Sequence, residues 1–367
     1  MNIKKTKFLL PLIGISILLT ACGTAPSASA PDTPGNSDLS AVESEEVSVT
    51  PATRASNSYL RASDIVLDLN STDWQPAAED TIPTNPCSDL SVPTYITKVD
   101  DTYFIVDCYH NQVIYHDNLS DPLYEWQVMT SEIDKGHTLA SDGLVYLIDD
   151  TENNRILIFE KKDGIFYHTQ TFEEIGNRPH YIIYDEPTDT FYAWSSMSGE
   201  MYLFRHDPDD SRMYLTEIRK IDALSDTYVR SFTIMDDSIY FVSGIPGSPA
   251  ILEADLNTFE IRNTYPVPDT MAGMIQLTQI ENDYYITIST DLNGNQDYAT
   301  IIRTDDLSTL SKGNYEDVYG QFLGGGTPYY ITFIDNSYYL TEHRIPGHSI
   351  WKFRISDGKI ADVETLY

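Results

Sequence analysis

The sequence predicts an all-β protein: a six-bladed β-propeller of four-stranded antiparallel blades. Three observations carry that reading. From residue 93 to the C-terminus one arrangement recurs six times, in units that begin at 93, 137, 178, 226, 274 and 326 and run 41 to 52 residues each. Within each unit apolar residues alternate at a spacing of two, in short runs rich in Tyr, Ile, Val, Phe and Thr. Tight turns of Asp, Asn and Gly separate the runs. A period of about 40–50 residues with four short strands per unit is what a propeller blade requires. A helical solenoid of similar period would place apolar residues three and four apart, and no stretch sustains that spacing.

The chain opens with a different device. Lys4, Lys5 and Lys7 form a basic stretch, and Phe8 to Leu19 is an apolar run of 12 positions broken by Pro11, Gly14 and Ser16. A helix needs about 20 residues to cross a hydrocarbon core, so this layout is that of a secretory signal over residues 1–21. It ends in Leu19-Thr20-Ala21-Cys22, which resembles the bacterial lipobox. The resemblance implies cleavage before Cys22, diacylglycerol on its sulfur, and a chain lipid-anchored at the extracytoplasmic face of a bacterial cell membrane. Two acyl chains meet the requirement for stable anchoring. Residues 23–57 contain no aromatic residue and are dominated by Ser, Thr, Ala, Pro, Glu and Asp. With Cys22 they predict a lipidated, disordered tether with a reach of about 30–35 Å. A polar spacer of this kind is similar to those of Gram-positive lipoproteins.

Residues 58–92 form an irregular lead-in segment. Its one short apolar run, Ile65 to Leu69, could close the ring or pad the last blade. The units themselves are clearest in their first halves: Tyr95 to Asp107, His137 to Asp149, His180 to Ser195, Ser231 to Ser243, Gln276 to Ile288 and Tyr330 to Glu342. Each is a strand, a tight acidic turn and a second strand. Third strands follow at Gln112–His116, Arg155–Phe159, Glu200–Arg205, Ala250–Ala254, Ala299–Arg303 and Ser349–Arg354. The last unit supplies its own fourth strand, Lys359 to Leu366. Cys87 and Cys108 are the thiols that remain after lipidation. An exported compartment permits a disulfide between them, and two free thiols are equally compatible with the sequence.

The stretch from Asp149 through Asn153, Asn154, Arg155 and Ile156 to Phe159 and Gly164 resembles an NHL repeat: an Asp, a short polar loop, Asn-Arg-Ile, an aromatic residue and Gly. Asp107 to Tyr115 is a looser copy, and Arg178 to Asp185 is similar to such a repeat's opening. Units four to six lack the Asn-Arg pair. The resemblance implies the propeller fold and leaves function open.

The 56 acidic residues exceed the 23 basic ones, a net charge of −33, and removal of the signal takes away three more lysines. Such a surface repels phosphate backbones, which argues against a nucleic-acid partner. Propellers gather the heads of their innermost strands, and the loops after their second strands, around one mouth of the central channel. At those positions stand Tyr95, His137, His180, Arg230, Gln276, Glu342 and His343, polar or aromatic where packing favours Val or Ile. They define the expected ligand site. Arg230 would hold an anion, the histidines would hydrogen-bond, and Tyr rings would stack on a small molecule, a glycan or a protein partner.

Two rivals accompany this reading. A metal-dependent lyase or hydrolase on an NHL-like propeller would use His137, His180 and His343 for Zn²⁺. A non-catalytic scaffold would plug the mouth with its own side chains. Asp291, Asn293, Asn295 and Asp297 alternate like the start of a calcium loop, but an Asn- and Gly-rich turn has the same composition.

Overall fold

In the computed structural model the described residues are 71–73 and 82–367, apart from 209 and 246. The signal, Cys22, the tether and Ile65–Leu69 lie outside them. The described strands form six antiparallel sheets. Blade one comprises Pro93–Val99, Thr102–Asp107, Gln112–His116 and Gln127–Thr130. Blade two comprises Leu139–Ser141, Val145–Asp150, Arg155–Lys162 and Ile165–Phe172. Blade three comprises Pro179–Asp185, Thr190–Ser195, Glu200–Asp207 and Asp210–Lys220. Blade four comprises Tyr228–Met235, Ser238–Ile245, Ala250–Asp255 and Ile261–Pro266. Blade five comprises Met274–Ile280, Asp283–Ile288, Thr300–Thr304 and Glu316–Asp317. Blade six comprises Thr327–Ile334, Ser337–His343, Ile350–Ser356 and Lys359–Thr365. The lead-in segment adds Ser71–Asp73 as a fifth, outermost strand, and it pairs with Gln170–Phe172 of blade two rather than with the last blade.

Local chemistry explains these elements. The inner hairpins turn through residues at positive φ: Asp100 (53°), Asp189 (49°), Asp236 (52°), Glu281 (56°) and Asp335 (47°). Asp and Asn tolerate that left-handed backbone better than branched residues do. Much of the acidic excess therefore sits in turns, where backbone geometry selects it.

The loops after the second strands of blades one and two share a second device. A short 3-10 turn follows Asp107 and Asp150, and it ends in Asn111 and Asn154 at φ 56° and 53°. Each Asn side chain then accepts the backbone N–H of the loop arriving at the next blade, Lys135 (3.2 Å) and Arg178 (2.8 Å). This is the physical content of the NHL-like Asn. The register differs by one residue from the sequence alignment: Asp107 is matched by Asp150, since each precedes its 3-10 turn and accepts a loop N–H, from Ser91 and Asp134 respectively, both at 2.7 Å.

The core lies between blades. Six apolar clusters fill the six blade-to-blade gaps, including Phe104, Val113 and Tyr146 between blades one and two, and Tyr285, Phe322 and Phe353 between five and six. The second strands are therefore buried on both faces. That is why Phe104-Ile105-Val106 and Val145-Tyr146-Leu147-Ile148 read as continuous apolar runs.

Among the described residues, blades six and one each keep their own four strands where the ring closes. Ile334, Tyr339 and Ile350 pack against Ile96, Ile105 and Ile114, and the C-terminal Tyr367 donates its hydroxyl to the carbonyls of Leu119 and Asp121. Among the described residues no disulfide joins Cys87 to Cys108.

Candidate functional site

The polar column read from the sequence has a structural task. Around the channel a buried side chain of each blade bonds the backbone of the next. Thr94 donates to the His137 carbonyl (2.8 Å), the Ile182 N–H donates to Thr138 (2.9 Å), and His180 Nδ1 donates to the Arg230 carbonyl (3.0 Å). Ser231 donates to the Ile275 carbonyl (2.6 Å). Gln276 clasps both the N–H (2.7 Å) and the carbonyl (3.1 Å) of Ile331, and Thr341 donates to the Thr94 carbonyl (2.7 Å). Inner strands of neighbouring blades splay apart and share no ladder, so side chains supply the bonds their backbone groups need.

Of the seven expected site residues, Gln276 is thus committed to a clasp. Glu342 is buried between blades five and six, where it accepts from the Tyr319 hydroxyl (2.6 Å) and the Trp351 indole (2.8 Å), and burial raises its pKa. Tyr95 is half-buried, edge-on to Tyr330 at 6.0 Å, and burial raises its hydroxyl to about 12. Gln276 and Glu342 are not brought to the mouth.

His137 and His180 meet face to face on the axis, with ring centres 3.7 Å apart and planes 26° from parallel. The backbone N–H of His137 is held by Asp149 (2.9 Å), and its Nδ1 by the Thr151 hydroxyl (2.9 Å). Burial opposes charge on His137, but Tyr329, Cys108 and Asp149 around it favour charge, and its pKa lies well above the ordinary value. His180 is held well below the ordinary value by burial, and then by the positive charges of His137, Arg230 and Arg178. Since His180 Nδ1 donates to a carbonyl, its Nε2 is the lone-pair side, and the Tyr228 hydroxyl donates to it at 3.0 Å. Both imidazoles present faces rather than nitrogens to each other, and His343 stands apart beside Tyr329 at 6.4 Å. Among the described residues no three His, Cys, Asp or Glu side chains group as a metal would need.

The side chains that reach solvent at the mouth are Tyr228, Arg230 and His343, all half-buried, and exposed Arg344. Arg230 lies over the Tyr228 ring at 4.7 Å and touches the Gly273 and Met274 carbonyls at 3.4 Å. It has no carboxylate partner among the described residues. His343 is held at about 4, by burial first and then by Arg344 and Arg230, so it is neutral at pH 7. The mouth is therefore a shallow cationic and aromatic surface over a channel plugged by stacked rings.

Tyr228 and Arg344 at the mouth, and Tyr329 buried beside His343, are the residues left out of the expected site. The available signal was that Tyr228 precedes Arg230 by two on one strand, so both point the same way.

The calcium-like loop is a turn. Asp291 Oδ1 accepts the N–H groups of Asn293 and Asn295 (2.8 Å each), and Asn295 accepts that of Asp297 (3.0 Å). Two cavities lie off the axis. One of about 320 Å³ is lined by Ile82, Tyr115, Phe166 and His168, and one of about 260 Å³ by Asp297, Tyr298, Tyr315 and Asp317.

No protein-family model matches the chain, and no curated protein matches it by sequence. Solved structures match it in shape. A streptogramin B lyase aligns with a TM-score of 0.52 at 15% identity, over 78% of this chain and 87% of that one. A candidate 6-phosphogluconolactonase from Bacteroides uniformis ATCC 8492 aligns with a TM-score of 0.52 at 13% identity, over 75% and 86%. Another from Bacteroides fragilis NCTC 9343 aligns with a TM-score of 0.52 at 12% identity, over 75% and 85%. Similarity at these identities defines the class: this chain is a β-propeller protein.

Proposed function

We propose that this propeller binds an anionic small molecule at the channel mouth, and that Cys22 anchors it by lipid to the outer face of the cell membrane. The observation that carries the binding reading is Arg230. Among the described residues no carboxylate pairs with this guanidinium, which lies over the Tyr228 ring. A guanidinium so placed beside an aromatic ring suits a carboxylate or phosphate ligand.

The test is titration of the full chain and of Arg230→Gln with acetate, inorganic phosphate and citrate by calorimetry. A charge-assisted contact contributes about 1.5–3 kcal/mol, so R230Q is expected to weaken binding about tenfold or more. Equal affinity in the two proteins overturns the reading. Cys22→Ala is expected to move the chain from the membrane fraction to the soluble one, and retention in the membrane refutes the anchor.

A second reading, catalysis at the same mouth, is favoured by His343. An imidazole kept neutral beside two guanidinium groups has the protonation state of a general base acting on an anionic substrate. The lyase and lactonase names of the structural neighbours are compatible with it. Release of a product whose formation stops in His343→Gln separates turnover from binding alone.

A further inference from the structure

We infer that the ligand of this mouth carries two anionic groups, one held by Arg230 and a second by Arg344. The inference rests on the anion-binding reading above and goes beyond it by specifying the ligand class: a dianion with separated charges, of which a dicarboxylate is the simplest example.

Arg344 follows His343 directly, at the end of blade six's second strand. Its guanidinium is steadied by the Thr327 hydroxyl at 3.2 Å and lies 3.5 Å from the Gln296 carbonyl. Like Arg230, it has no carboxylate partner among the described residues. In each of the two guanidinium groups Nη1 alone hydrogen-bonds among the described residues. The remaining N–H groups of each fork are left to donate edge-on to a carboxylate.

The backbone of Arg344 adds to this. Its φ of 83° is a left-handed conformation that costs a non-glycine residue of order 1 kcal/mol, and such conformations concentrate at binding sites.

The two anchors belong to different blades. Arg230 rests on Gly273 and Met274 at the head of blade five, and Arg344 on Thr327 at the head of blade six. His343 packs beside the Tyr329 ring at 6.4 Å. Two cations fixed on neighbouring blade heads repel each other, and both disfavour protonation of the His343 imidazole. An anion at each position relieves that repulsion, and a linker between the anions would cross the Tyr329 and His343 rings.

The experiment is calorimetric titration of the full chain at constant ionic strength with acetate and with malonate, succinate, glutarate and adipate. One chain length is expected to bind at least about tenfold more tightly than acetate, with the optimum set by the spacing of the arginines. Arg344→Gln is expected to bring that dicarboxylate down to the affinity of acetate, and Arg344→Lys to restore part of the gain because charge returns without the fork. If R344Q does not fold, Thr327→Val removes the anchor instead and is expected to reduce the same advantage. If acetate binding depends on Arg230 but no dicarboxylate exceeds it, the two-anion inference fails while the anion-binding reading stands. If no probe's binding depends on Arg230, the anion-binding reading fails and the inference falls with it.

Discussion

Removing one hydroxyl from the joint between blades six and one should weaken the whole ring. Among the described residues no strand is shared across that joint, where side-chain packing and hydrogen bonds join the two blades. Thr341 is fully buried there. Its hydroxyl donates to the Thr94 carbonyl at 2.7 Å and accepts the Tyr330 N–H at 3.1 Å. Thr341→Val keeps shape and volume but leaves two buried backbone groups unpaired. At about 1–3 kcal/mol for each such group, the expected loss is about 2–6 kcal/mol. For a domain of this size that lowers the melting temperature by about 2–4 °C per kcal/mol.

Thr287 provides the control. Its hydroxyl is buried in blade five with no hydrogen-bond partner among the described residues. Thr287→Val should therefore be neutral or stabilising, because it removes an unpaired polar group. Urea unfolding of both variants in the same full chain reads the difference. The clasp argument is refuted if T341V stays within about 0.5 kcal/mol of the parent, or if T287V loses as much as T341V.

Two further predictions concern titration and thiols. His343 takes a proton near pH 4 in the folded chain and near its ordinary value of 6.5 when unfolded, so the unfolded state binds that proton first. The contribution of this residue to stability is complete above pH 6.5 and is lost as pH falls towards 4. H343Q should reduce the loss of stability over that window in unfolding curves at stepped pH, and an unaltered pH profile would contradict the assignment. In chains carrying Cys22→Ser, denatured protein should react two thiols per chain without reductant, from Cys87 and Cys108. Reaction only after reduction would show that they are joined.

The fold was legible because its determinants are local. Alternation at a spacing of two, Asp and Asn at the left-handed turn positions, and a repeat length of one blade can each be read within a few tens of residues. The site was legible only in part. Arg230 and His343 stood out because His and Arg are unusual at the ends of apolar strands, and both reach solvent at the mouth, whereas His137 and His180 are buried. Gln276 and Glu342 stood out for the same reason, yet each spends its polar atoms on a neighbouring blade or within its own blade gap. Thr94, Ser231 and Thr341 show how general that use is: six blades that share no ladder need a polar clasp at every joint.

By itself, then, the sequence determined the strands, their turns and their six-fold repetition, because those depend on neighbours close along the chain. The tertiary structure alone decided which polar side chains close the ring and which reach solvent at the mouth. That choice is made between residues about 40 or more positions apart, such as Thr94 and His137, or 247 apart, as for Thr94 and Thr341. A buried polar atom takes whichever partner the next blade brings within reach, and Arg230, Tyr228, His343 and Arg344 are among the described residues that reach solvent at the mouth.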